Sequence, residues 1–117
     1  MLSLDLFRNI ASTVDVSAGT VIFRQGDPGE EMFLIKEGVV EIRTAAGFLA
    51  KLEAGDIFGE MSLIGDEPRS ATAVAVTDCN LVPVDEERFL FLVQQTPYFS
   101  LYVMSVLAQR LRLRDQE

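Results

Sequence analysis

The stretch "FGEMSLIGDEPRS", residues 58–70, places one glutamate, Glu60, inside an apolar run that glycines flank. A carboxylate in such surroundings is costly to bury unless it is hydrogen-bonded or paired with a cation. Arg69 follows behind a proline, and Ser70 adds a hydroxyl. A helical turn after Gly59 would present free backbone N–H groups, which bind anions. The segment therefore predicts a site for a compact ligand with one phosphate and one free sugar hydroxyl.

A structural explanation of the same two charges stays open at this point. Glu60 and Arg69 are also the residues of an ordinary ion pair within a turn, and such a pair would need no ligand. A domain that retains this shape and binds nothing is a further alternative.

Short β-type runs on both sides of the stretch indicate the architecture. These runs alternate with turn signals at near-regular spacing, a pattern typical of an antiparallel barrel or sandwich. "MFLI" and "VVEIR" flank "KEG", which predicts a hairpin with Gly38 at positive φ. Pro83 in "NLVPV" predicts an edge strand or a bulge, because proline has no N–H to donate.

Helical patterns lie at both ends of the chain. Residues 4–11 read as a short amphipathic helix, and helices are predicted over 85–95 and 97–114, with arginines near the last C-terminus. The full prediction is one domain, residues 1–117, with a β-roll over 13–84 and a ligand-binding segment over 58–71. The class is mainly β with flanking helices.

Composition limits the function. The chain carries 10 basic and 18 acidic residues, a net charge of −8, which disfavours nucleic acid and anionic membranes as partners. It has no histidine and one cysteine, so most zinc sites and histidine-based triads are excluded. Cys79 fits a reducing compartment and a small buried side chain. We therefore expect a cytoplasmic protein with no metal, no cofactor and no enzymatic activity.

The stretch "FGEMSLIGDEPRSATA" resembles the phosphate-binding cassette of the cyclic nucleotide-binding domain family. This family includes catabolite activator protein, the regulatory subunits of cyclic-AMP-dependent protein kinase and cyclic-nucleotide-gated channels. "AGTVIFRQGDPGEEMFLIKEGVVEI" and "LEAGDIFGE" resemble it too. The resemblance implies an antiparallel jelly roll, also called a double-stranded β-helix, with a short N-terminal helix and two C-terminal helices.

The resemblance also implies a role for each residue of the cassette. Glu60 would accept a hydrogen bond from the ribose 2′-hydroxyl, and Arg69 would pair with the cyclic phosphate. The remaining ligand-binding residues would be Gly59, Met61, Ser62, Ser70 and Ala71, and the base-lining residues Ile42, Leu49 and Arg114. Serine at position 70 favours cyclic AMP, since the family resemblance links threonine there with cyclic GMP.

The implied function is that of a regulatory cyclic-nucleotide sensor, most simply for cyclic AMP. Nucleotide would shift a hinge near residues 85–97 and re-dock the final helix, and an effector protein or a downstream domain would respond. The alternative is an assembly domain of the same fold that forms a homodimer through the C-terminal helix without binding nucleotide.

Overall fold

The computed structural model describes residues 12–65 and 67–115, with side chains as far as Arg110. The helix predicted over residues 4–11 lies outside this range. The described part contains eight strands and three helices. In chain order these are β1 (Val14–Val16), β2 (Val21–Phe23), β3 (Met32–Glu37), β4 (Val40–Thr44), β5 (Gly47–Leu52), β6 (Ile57–Phe58), α1 (Glu60–Gly65), β7 (Thr72–Ala75), β8 (Cys79–Val84), α2 (Glu86–Gln95) and α3 (Pro97–Asp115).

The strands form two antiparallel sheets of four strands each. One sheet has the order β1-β8-β3-β6, and the other has the order β2-β7-β4-β5. Strands that follow one another along the chain mostly fall in different sheets, so the chain winds between two layers. This arrangement confirms the predicted mainly-β fold, an antiparallel roll followed by two helices.

The hairpin predicted around Gly38 is wrong, although its glycine has the expected conformation. Gly38 has a φ of +104°, but β3 pairs with β6 and β8, whereas β4 pairs with β5 and β7. The turn therefore carries the chain from one sheet to the other. Tight packing also requires the glycine, because an added Cβ would lie 2.6 Å from the Cys79 sulfur.

The sequence predicts an edge strand or a bulge at Pro83, but β8 is an inner strand and its register shift lies elsewhere; the register nevertheless explains why proline is tolerated. β8 is an inner strand with β1 on one side and β3 on the other. β1, however, pairs only with Cys79 to Leu81, whereas Pro83 lies opposite Phe33 of β3. Beyond the end of β1, the proline has a strand partner on one side only, so its missing N–H breaks no ladder there.

β3 lies between two hydrophobic cores of the described part of the chain. Phe33 and Ile35 face the core between the sheets, where Ala73 and Ala75 are fully buried. The alternate residues of β3 face a second core, which packs the roll against α2 and α3 through Leu92, Phe99 and Val103. Since side chains alternate along a strand, burial on both faces explains the uninterrupted apolar run of "MFLI".

The two C-terminal helices are separated at Thr96. Asp85 is the N-cap of α2, and its carboxylate accepts a hydrogen bond of 2.9 Å from the Arg88 amide. This cap explains why α2 begins one residue later than predicted. Among the described residues, no single helix is long and apolar enough to cross a bilayer; α2 and α3 pass that test only when joined, despite a bend of 119°.

Candidate functional site

Gly59 joins β6 to α1 and gives the site its shape. Its φ is +81°, a conformation that glycine adopts without strain. An added Cβ would lie 2.7 Å from Nη1 of Arg69, so a larger residue would also displace that side chain. Gly59 is therefore needed both for the turn and for the close approach of the Arg69 side chain.

Contacts hold both the backbone and the side chain of Arg69 in place. Its backbone N–H donates to the Asp27 carbonyl, and its carbonyl accepts from the Gly26 amide, both at 2.8 Å. Its Nη1 donates to the Gly59 carbonyl at 3.0 Å, and the guanidinium carbon lies 4.1 Å from the centre of the Phe23 ring. Nε is buried and has no hydrogen-bond partner. One N–H of this guanidinium thus remains to be satisfied.

The charge of Arg69 is held in a desolvated place. Burial lowers the pKa of its guanidinium, while the nearby carboxylates of Glu31, Asp27 and Glu60 act in the opposite direction. Arginine still remains protonated at neutral pH because its ordinary pKa is so high. A buried, partly satisfied cation of this kind attracts an anion more strongly than an exposed one does.

Glu60 does not pair with Arg69. It is buried, and its Oε1 accepts a hydrogen bond from Nη1 of Arg110, which reaches it from α3. Nη2 of Arg110 donates to the Ile57 carbonyl at 2.9 Å. The ion pair between residues 60 and 69, left open by the sequence, is therefore wrong. Oε2 of Glu60 is buried without a partner and can accept one more hydrogen bond.

A cavity of about 600 Å³ contains both side chains in its wall. Every residue predicted for the site lines it except Arg114, whose side chain is outside the described part. The predicted residues in the wall are Ile42, Leu49, Gly59, Glu60, Met61, Ser62, Arg69, Ser70 and Ala71. Residues that the sequence reasoning did not name also line it: Phe23, Thr44, Ala46, Phe48, Ala50, Phe58, Leu107 and Arg110.

The most consequential omission is Arg110. The basic cluster near the end of α3 was recognised, but the spacing of residues on a helix does not say which arginine faces the roll. Phe23 was missed because its contact with Arg69 joins two distant parts of the chain. Phe48 lies next to Leu49 on β5 and is 62% exposed at the cavity wall. The sequence carried little sign of it, because neighbouring residues of a strand normally point to opposite faces.

Three residues of the cavity wall, Glu60, Ser62 and Arg69, each carry one buried polar atom without a partner. Among the described residues, the buried side-chain nitrogen and oxygen atoms without a hydrogen-bond partner are Oε2 of Glu60, Oγ of Ser62 and Nε of Arg69. An anion would satisfy the donor of Arg69, and a ligand hydroxyl would satisfy the acceptor of Glu60. Ile42, Leu49 and Phe48 supply an apolar wall against which a flat heterocycle can pack.

Comparisons with known proteins show which proteins this chain is similar to. The sequence model of the family described as "Cyclic nucleotide-binding domain" matches residues 13–96 of this chain. The chain is 41% identical over 104 residues to the cyclic AMP receptor protein of Thermus thermophilus, covering 85% of this chain and 48% of that protein. It is 43% identical over 82 residues to a cyclic nucleotide-gated potassium channel of Mesorhizobium japonicum, covering 70% of this chain and 22% of the channel.

A solved structure matches at the level of the fold as well. The crystal structure of Thermus thermophilus catabolite activator protein superposes with a TM-score of 0.81 at 36% identity, covering 96% of this chain and 60% of that one. The chain therefore spans about half or less of the length of these curated relatives.

Proposed function

Because the chain belongs to the cyclic nucleotide-binding domain family, we propose that it is a regulatory module that binds cyclic AMP and has no catalytic activity of its own. The observation that supports this proposal is a cavity whose wall contains both Arg69 and Glu60, each with one buried polar atom that has no hydrogen-bond partner. A cyclic nucleotide has an anionic phosphate and a single ribose hydroxyl, so it offers one partner to each.

The phosphate end of the proposed complex lies at Arg69. The cyclic phosphate takes the unpaired Nε–H and the Ser70 hydroxyl, together with backbone amides around Gly59, Met61 and Ser62. Phe23 and the Gly59 carbonyl hold the guanidinium in place before the ligand arrives. A preorganised cation loses less conformational entropy on binding than a free side chain does.

The ribose end lies at Glu60. Its Oε2 accepts a hydrogen bond from the 2′-hydroxyl, while Oε1 stays on Arg110. Carboxylates bind ribose hydroxyls in dinucleotide sites by the same chemistry. Among the lining residues that the structure describes, Glu60 is the only acid, and there is no histidine, so no second group completes an acid–base pair.

The base packs on Ile42 and Leu49, with Phe48 and Leu107 also in the wall. These contacts are apolar and do not by themselves separate adenine from guanine. The preference for cyclic AMP rests on serine at position 70 and on the name of the Thermus thermophilus relative, a cyclic AMP receptor protein.

The signal passes through the C-terminal helices. Arg110 on α3 is tied to Glu60, and the segment near residues 85–97 lies between the roll and that helix. Nucleotide that binds at Glu60 changes the arrangement of α3 only if it favours one arrangement over another. The output goes to an effector protein or a further domain in the cytoplasm, and neither nucleic acid nor a membrane is proposed as a partner of this segment.

A second candidate function is assembly through α3. Tyr98, Leu101 and Met104 are exposed large side chains on this helix, with exposed fractions of 77%, 58% and 56%. Exposed apolar side chains at helical spacing can bury themselves against a second copy. Light scattering with and without cyclic AMP separates the two functions: a dimer that forms regardless of nucleotide and binds none would favour assembly.

Calorimetric titration of the purified chain with cyclic AMP, cyclic GMP and cyclic di-GMP tests the proposal. We expect cyclic AMP to bind most tightly. Arg69→Ala should weaken that binding by about ten- to a thousandfold, because it removes charge-assisted hydrogen bonds of about 1.5–3 kcal/mol each.

Arg43→Ala is the matched control, since Arg43 is an exposed arginine whose guanidinium pairs with Glu41 and does not line the cavity. Absence of heat with all three nucleotides, or equal affinity in Arg69→Ala and the native protein, would overturn the proposed function.

A further inference from the structure

Three phenylalanine rings pack together next to Arg69, and we call them the aromatic platform: Phe23, Phe33 and Phe58. The rings of Phe33 and Phe58 stack with centroids 5.2 Å apart, and the Phe23 ring lies 5.8 Å from the Phe58 ring and 6.2 Å from the Phe33 ring. The guanidinium carbon of Arg69 is 4.1 Å from the centroid of Phe23 and 5.9 Å from that of Phe33. Both distances lie within the range of about 6 Å over which an aromatic face attracts a cation.

The two sheets together build the aromatic platform. Phe33 lies opposite Phe58 where β3 pairs with β6, whereas Phe23 lies on β2 in the other sheet, opposite Ala73 of β7. All three rings meet in the core between the sheets. The place of the Phe23 ring beside Arg69 therefore depends on the packing of both layers.

Arg69 is a buried cation without a carboxylate partner among the described residues. Arginine is rarely buried unless it is paired, because desolvation of its charge is costly. The ion pairs that the described residues form join Arg43 to Glu41 and Arg110 to Glu60. The carboxylate that the structure describes in the cavity wall is thus bound by Arg110. The electron-rich face of Phe23 takes the place of a counter-ion for Arg69.

We propose that Phe23 is a positioning residue whose ring stabilises the Arg69 cation in place of a carboxylate, so that the charge and the unpaired Nε–H stay available to the phosphate. A carboxylate at that place would hold the guanidinium equally well, but it would accept the same N–H groups and compete with the phosphate. A ring face attracts the cation and leaves those donors unoccupied. This role rests on the proposed function and adds to it that the affinity for nucleotide depends on the electron density of one ring.

The test replaces Phe23 in the full chain by phenylalanine that carries one, two or three ring fluorines. Fluorine withdraws electrons from the ring face but changes the shape of the ring little, so attraction to the cation should weaken step by step. Calorimetry measures the affinity of each variant for cyclic AMP. We expect the affinity to fall with each added fluorine, by about three- to thirtyfold for Phe23→trifluorophenylalanine. A ring that only fills space would show no such gradient.

The same fluorine series at Phe89 is the matched control. Phe89 is half-buried like Phe23 and packs against another ring, that of Phe99 at 5.5 Å, but it belongs to the second core and does not line the cavity. Fluorination there should change the affinity for cyclic AMP by less than about twofold. Proton magnetic resonance of the nucleotide-free chain tests the contact itself: the Phe23 ring current should shift the Arg69 side-chain protons, and Phe23→Leu should remove that shift.

Two results would overturn the positioning role and leave the proposed function standing. One is an affinity for cyclic AMP that stays constant through the Phe23 series. The other is an equal loss of affinity in the Phe23 and Phe89 series, which would reflect a general loss of packing. Absence of cyclic AMP binding in the native chain would instead overturn the proposed function, and the positioning role with it.

Discussion

The ion pair between Glu60 and Arg110 should contribute to stability far more than an ordinary surface pair. Arg110→Gln removes the cation and leaves a carboxylate that is 1% exposed without its partner. Breaking a buried pair costs about 3–5 kcal/mol, because the remaining charge is uncompensated. The Arg110 side chain is 35% exposed, so water screens the interaction in part, and we expect a loss of about 2–3 kcal/mol.

Urea unfolding followed by circular dichroism measures this loss. Glu60→Gln and the double variant Glu60→Gln, Arg110→Gln complete a thermodynamic cycle, and the double variant should be more stable than Arg110→Gln alone. We expect a coupling free energy of about 1–3 kcal/mol, the range found for residues in direct contact.

The chain contains its own control for this experiment. Arg43 and Glu41 form an exposed pair at 3.0 Å, and Arg43→Gln should cost less than about 1 kcal/mol. If Arg110→Gln and Arg43→Gln proved equally mild, the reasoning from burial would be refuted, and Arg110 would not hold α3 to the site.

Gly29→Ala should weaken cyclic AMP binding severalfold in calorimetry, because its methyl group would overlap the Arg69 guanidinium; Gly65→Ala, whose added Cβ lies 3.6 Å from its nearest neighbour, should not. Phe48→Ala should lower the affinity for cyclic AMP by about two- to tenfold if the ring packs on the base, and equal affinity would exclude that contact. Burial raises the pKa of Tyr102, so this residue adds stability below the unfolded pKa of about 10 and loses it as pH rises through the folded pKa. Tyr102→Phe removes the hydroxyl that donates to the Gly55 carbonyl at 3.1 Å, so it should be less stable than the native chain at pH 8 by about 0.5–1.5 kcal/mol. Above pH 10 the urea midpoint of the native chain should fall relative to that of Tyr102→Phe, because only the native chain must ionise a half-buried phenol; a difference that stays constant with pH would contradict the raised pKa.

The sequence by itself determined most helices and strands of this protein and pointed to part of its candidate site. Strand alternation, turn glycines and helix-start signals act between near neighbours, so they can be read without knowing the fold. They predicted the β-rich roll and the two C-terminal helices, whereas the cassette and the role of each of its residues were implied by the resemblance to the family. The predicted residues that line the cavity include Glu60 and Arg69. A carboxylate within an apolar run identified Glu60, and Arg69 follows it in the same stretch.

Only the tertiary structure decided which distant groups meet. Contacts between remote parts of the chain decide three features. They decide which sheet each strand next to Gly38 joins, which register accommodates Pro83, and which arginine pairs with Glu60. Local periodicity fixes the face on which a side chain lies, but the packing of whole layers fixes what lies opposite that face. For that reason, the acid at position 60 could be recognised from the sequence, whereas the arginine that holds it could not.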